Sequence, residues 1–89
     1  MLFMLTNRTR AGLTPQQFGE LAALAKAFYA QVPAGVALRG EWAAADHSCN
    51  YSLIEAPDLP TVQRMQAPFE PYTDSVIVPV VAITGWTVS

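Results

Sequence analysis

Two helix-start signals cut this chain into a fixed alternation of elements. At the first, Thr14 can cap a helix whose opening residue is Pro15, and Gln17 completes a reciprocal capping box. At the second, Asp58 can cap a short helix from about Leu59 to Gln66, with Pro60 tolerated in its first turn. Strand-like segments lie before, between and after them. Leu2 to Arg8 reads as one strand, closed by a polar, Gly-containing turn at Thr9–Gly12. Val36 to Ala44 and Ser48 to Ala56 read as two more, joined by a turn or bulge at Ala45-Asp46-His47. Asp74 to Ile83 reads as the last. The order β-α-β-β-α-β predicts a ferredoxin-like α+β fold, with a four-stranded antiparallel sheet and two helices on one face. At 89 residues, a single domain spanning 1–89 is expected.

Side-chain periodicity assigns faces. In the first helix Phe18, Leu21, Ala22, Ala25, Phe28, Tyr29 and Val32 form a stripe that should face the core. In the second strand Val36, Leu38, Gly40 and Trp42 share one face, and Ala37, Arg39, Glu41 and Ala43 the other. In the third, Cys49, Tyr51 and Leu53 oppose Ser48, Asn50, Ser52 and Ile54. The last strand is apolar on both faces, which predicts burial of both. Its Pro79 cannot donate a ladder hydrogen bond and places it at a sheet edge or a bulge. Trp86, in the tail, needs a surface to dock on.

A sheet with both helices on one side leaves its other face open, and a second copy of the chain is the natural cover. Composition agrees. Charged residues make up 13% of the chain, about half the ~25% of an ordinary soluble domain. That deficit points to surface covered by other subunits. The net charge of −2 gives nucleic acid no basic surface. A single cysteine, Cys49, excludes an internal disulfide and a multi-Cys zinc site. The opening apolar run, Met1 to Leu5, is shorter than a secretory core of roughly 7–15 residues or a membrane helix of about 20. A cytoplasmic location, with neither membrane nor nucleic-acid partners, is therefore expected. With no P-loop, G-x-G-x-x-G, H-E-x-x-H or paired-Cys motif, neither a cofactor nor a metal is expected.

Several residues can carry chemistry, each with a plainer alternative. His47, the sole histidine, can shuttle a proton near neutral pH or simply occupy a turn. Glu41 sits among apolar strand neighbours. In a cavity it would be an acid or base of raised pKa, and at a surface it would pair with Arg39. Arg39 can orient an anionic substrate or serve an interface. Tyr51 and Tyr72 can donate to an enolate or carboxylate oxygen, or pack as core aromatics. Trp42, Phe69 and Trp86 can line an apolar pocket or fill a core. Cys49 lies two residues from His47, but a buried, inert thiol is the stronger reading than a nucleophile pair.

The run Trp42-Ala43-Ala44-Ala45-Asp46-His47-Ser48-Cys49-Asn50-Tyr51-Ser52, followed by Pro57, resembles the W-x-x-A-x-H-x-x-N-Y-S run and later proline of the muconolactone isomerase family. Phe69-Glu70-Pro71-Tyr72-Thr73-Asp74 resembles that family's F-P-Y-x-D segment, and Met1-Leu2-Phe3 matches its start. The resemblance implies a ferredoxin-like subunit in dimers of the α+β barrel type, assembling up to decamers. It also implies a small cytoplasmic enzyme of aromatic degradation that moves a double bond within a lactone by cofactor-free proton transfer. The resemblance implies that His47 shuttles the proton, Tyr51 or Asn50 holds the oxygen and Arg39 the substrate carboxylate, and it offers no counterpart for Glu41. Joined with the residues read above, His47, Glu41 and Tyr51 are the expected catalytic set, and Arg39, Trp42, Asn50 and Tyr72 the expected substrate-binding set. The Ala-rich, weakly charged first helix departs from the family. Two other readings share the architecture: a non-catalytic oligomeric small-molecule-binding protein, and a cofactor-free monooxygenase of the dimeric α+β barrel class.

Overall fold

The computed structural model describes residues 1–83. Their elements are β1 (Leu2–Thr9), α1 (Pro15–Ala30), β2 (Ala37–Ala43), β3 (Asn50–Glu55), α2 (Leu59–Gln66) and β4 (Thr73–Val80), with a 3-10 turn at Ala67–Phe69. The strands form one antiparallel sheet in the order β2-β3-β1-β4. This is the expected ferredoxin-like α+β arrangement.

Both helix starts form as their sequences dictate. The Thr14 hydroxyl accepts from the Gln17 N–H at 3.2 Å, and Gln17 Oε1 accepts from the Thr14 N–H at 2.8 Å. Asp58 Oδ1 accepts from the Thr61 hydroxyl at 2.6 Å and from its N–H at 2.9 Å. Those two bonds hold the Asp58 carboxyl below its ordinary pKa, the hydroxyl bond most. The core lies under α2. Phe3 and Leu5 from β1, Ile54 from β3, Ala56 and Val62 are buried together, with Val36, Leu38, Met65 and Ile77 packed around them. Each large side chain fully buried there contributes about 1.5–3 kcal/mol.

Helix α1 behaves differently from its pattern. No residue of it is buried, and Phe18 and Tyr29 are each 51% exposed. Leu21, Ala25 and Phe28 are half-buried, and Ala22 is exposed. The expected core stripe stands off the sheet, which it reaches through the hydrogen bond from the Tyr29 hydroxyl to Glu41 on β2. Side tethers hold the helix instead. The Tyr72 hydroxyl donates to Glu20 Oε2 at 2.7 Å, and the Phe28 ring sits edge-on to Phe69 with centroids 6.4 Å apart.

Strand β2 also corrects its simple alternation. A bulge falls between Leu38 and Gly40, so Leu38 opposes Ile54 whereas Glu41 opposes Ser52. Ile54 and Ser52 both face the helices and are buried. Leu38 and Glu41 therefore share that side, while Gly40 and Trp42 take the other. The extra residue, Arg39, pairs through its guanidinium with Glu55. The Trp42 ring lies across Gly40, where an added Cβ would come within 2.5 Å of it.

Strand β4 occupies the sheet edge, as Pro79 requires. It ends at Val80 rather than Ile83. Only one of its faces is buried within the chain, since Val76 and Val78 remain 59% and 47% exposed. Trp86 falls outside the described residues. Among those described, no helix is long and apolar enough to cross a membrane.

Candidate functional site

The floor beneath α1 changes character along the sheet. On the helix-facing phase, β1 runs Phe3, Leu5, Asn7, Thr9; β3 runs Ile54, Ser52, Asn50; and β4 runs Ile77, Ser75, Thr73. The antiparallel register aligns these series, pairing Phe3 with Ile54, Leu5 with Ser52 and Asn7 with Asn50. The apolar end is filled by α2. The polar end lies open beneath α1, where a cavity of about 390 Å³ separates helix from sheet. Leu21, Ala25, Phe28 and Tyr29 roof it, and Leu5, Leu38, Ile54, Met65 and Phe69 supply apolar wall.

Two polar clusters interrupt that lining. In the first, the Tyr29 hydroxyl donates to Glu41 Oε1 at 2.5 Å, and the Ser52 hydroxyl reaches the same oxygen at 3.4 Å. The Tyr29 pKa is pushed up to about 12, chiefly by partial burial, then by its bond to Glu41 and that carboxylate's charge. The phenol thus stays protonated, and a donor, throughout the neutral range. Without the bulge, Glu41 would stand on the opposite face from Leu38 and Ser52.

In the second cluster, Asn7 Oδ1 accepts from the Ser75 hydroxyl and from Gln66 Nε2, both at 2.6 Å. Gln66 Nε2 also lies 2.9 Å from Ser75 Oγ, and the Thr73 hydroxyl donates to the Phe69 carbonyl at 3.1 Å. Asn50 stands opposite Asn7 and lines the same cavity. A carboxylate bonded to a protonated phenol and a pair of carboxamides thus share one open cavity of mixed polar and apolar lining, with Glu41, Tyr29 and Asn50 exposed in it. Such a chamber can bind an oxygenated ring and exchange a proton with it.

Of the residues singled out in the sequence, Glu41, Asn50 and Phe69 border the cavity, and so do Trp42 and Tyr51, which lie on the strand phase away from the helices. Tyr51 sits on the opposite strand phase from Ser52, with its phenol against Cys49, a contact that raises its pKa. The other three are not brought to the cavity. His47 is exposed in the β2–β3 turn with φ 61°, and its N–H donates to the Ala44 carbonyl at 2.8 Å. Arg39 is held by Glu55, and Tyr72 by Glu20. Cys49 is buried and unpaired, as expected. Among the described residues no group of three or more His, Cys, Asp or Glu side chains is placed to hold a metal ion.

Tyr29, Asn7 and Gln66 belong to no motif that marks a site residue, and Ser52 stands in the N-Y-S run without a role to single it out. The available signal was the phase itself. Three strands each turn from apolar to polar on one face, toward one end of the sheet.

The chain is similar in structure to muconolactone isomerase, whose crystal structure superposes with a TM-score of 0.63 at 23% identity, covering 100% of this chain and 97% of that one. At that identity the likeness establishes the fold. An uncharacterized NIPSNAP domain protein from Burkholderia xenovorans matches with a TM-score of 0.43 at 17% identity, covering 94% of this chain and 98% of that one. No curated protein matches the chain. Residues 1–87 match the family model described as "Domain of unknown function (DUF3303)". By that match, which takes in β1 through β4, the chain belongs to the DUF3303 family.

Proposed function

We propose that this domain is a small enzyme of the proton-transfer type, isomerising a double bond or closing a ring on a small lactone or other oxygenated ring held between α1 and the sheet. The observation that carries this reading is the Tyr29–Glu41 hydrogen bond of 2.5 Å at the wall of the cavity. Glu41 takes the proton from a ring carbon beside a carbonyl. Negative charge then develops on the carbonyl oxygen, where neutral donors stabilise it. Glu41 returns the proton at another carbon, which moves the double bond. This chemistry needs no cofactor. The fold shared with muconolactone isomerase, a protein named for such a rearrangement, supports the reaction class.

We also infer that the domain works as a homodimer. The sheet face away from the helices carries Trp42, Val76 and Val78, 56%, 59% and 47% exposed, and a second copy of the same sheet covers it.

The test is proton exchange. The protein is incubated with an unsaturated five-membered lactone in heavy water and the ring protons are followed by NMR. Enzyme-dependent deuterium uptake is expected. Glu41→Gln should reduce it by about 10²–10⁴-fold, while His47→Ala leaves it unchanged. Binding without uptake would leave a small-molecule-binding domain and reject the catalytic reading.

A further inference from the structure

We propose that the cavity selects a neutral carbonyl compound over its carboxylated counterpart, holding the carbonyl oxygen on the Asn7–Asn50 carboxamide pair. The proposal rests on the cavity being the substrate site, as argued above, and adds the class of substrate.

The pair is built by register. Asn7 and Asn50 are direct antiparallel partners on the helix-facing side, and both line the cavity. Opposed residues of this kind hold their Cβ atoms about 4.5–5.5 Å apart, which lets two carboxamides converge on one ligand atom. Asn7 is further oriented. Its Oδ1 accepts from both Ser75 and Gln66, which fixes the flip of the amide and leaves Nδ2 as the donor end. Donors of this sort suit a carbonyl oxygen. As Glu41 removes the neighbouring C–H proton, the electron pair of that bond becomes the C=C of the enolate and the carbonyl π pair moves onto the same oxygen. It moves back when the proton is returned at the second carbon, so the amides bind ground state and enolate alike.

Charge sets the discrimination. Glu41 is the charged side chain among the described residues lining the cavity. The nearby arginines are committed elsewhere. Arg39 pairs with Glu55, and Arg10 pairs with Asp74 at 3.2 Å while its Nε donates to the Glu70 carbonyl. Arg8 follows Asn7 on β1 and so takes the opposite strand phase. A ligand carboxylate in the chamber would meet Glu41 with no cationic side chain among the described residues of the lining, an arrangement that excludes a partner by repulsion.

Three probes separate the possibilities at neutral pH: a methyl-substituted unsaturated five-membered lactone, its carboxymethyl analogue, and the methyl ester of that analogue. Calorimetric titration should give the methyl lactone and the ester at least about tenfold tighter binding than the free acid. Glu41→Gln should narrow the gap by admitting the acid. Asn50→Leu should weaken the neutral probes without weakening the acid. Asn7→Asp, which keeps the acceptor for Gln66 and Ser75 but loses the Nδ2 donor, should also weaken the neutral probes if the pair binds the carbonyl, and its added charge should weaken the acid further. Binding of the acid as tight as that of its ester overturns the proposal, and so does the absence of binding by all three probes at millimolar concentration. Deuterium uptake is scored separately. Neutral preference without uptake would reject the proton-transfer reading alone, and uptake with a preference for the acid would reject this proposal alone.

Discussion

Tyr29 is the residue on which the site's pH behaviour turns. Its folded pKa of about 12 exceeds the unfolded value of 10.0, so folding favours the protonated phenol. The stabilisation is fully present below pH 10 and is lost as pH rises through about 12. Phenolate absorbance should therefore show Tyr29 titrating near pH 12 in the folded protein, and Glu41→Gln should lower that midpoint. The measurement belongs in a Tyr51→Phe/Tyr72→Phe background, since Cys49 and Glu20 raise those two phenols as well. A midpoint unmoved by Glu41→Gln would mean that the hydrogen bond does not form in solution. Glu41 was legible in the sequence because a carboxylate among apolar strand neighbours is unusual. Its partner was not, because Tyr29 sits on a helical stripe with Phe28 and Leu21 and looks like core. Only the distance between helix and sheet turns that stripe into a cavity wall. His47 stands out in the sequence through its rarity and a motif; the structure places it in the β2–β3 turn, with a positive φ and its N–H bonded to the Ala44 carbonyl.

The elements differ in how far local sequence determines them. Both capped helix starts and the edge position of β4 were readable, since each depends on residues within one turn or on one missing N–H. The bulge in β2 was not. It exists only in the pairing with β3, and the residues around it alternate regularly enough to hide it. Deleting Arg39 tests its role. The strand then has to place either Leu38 or Glu41 on the helix side, and burial of Leu38, worth about 1.5–3 kcal/mol, should win. Glu41 should turn outward, and the Tyr29 titration should move back toward pH 10. The helices separate in the same way. Phe3→Ala, in the core under α2, should cost about 3–5 kcal/mol in denaturant unfolding. Phe28→Ala, on the overhanging α1, should cost less than about 1.5 kcal/mol, because that ring is already half-exposed in the fold. Equal costs would show that α1 packs on the sheet in solution.

Across the whole fold, one sheet face is packed and the other, among the described residues, is apolar and open. Sedimentation velocity should find the protein as a dimer or a larger even-numbered assembly. Val78→Lys places a charge on the open face, on its edge strand β4, and should shift it toward monomer, while the cavity on the opposite face keeps its ligand. A monomeric wild-type protein would reject the pairing. The partial separation of core from cavity, which share Leu5 and Ile54, has a consequence for descent. Phe3, Ala56 and Val62 secure the fold without touching the chamber, and α1 frames the chamber without burying a side chain. Mutations can thus accumulate along the inner side of α1 at little cost to folding. A lineage with this layout can exchange one ligand for another many times while its scaffold persists, so sequence divergence among such proteins would record changes of diet more than changes of architecture.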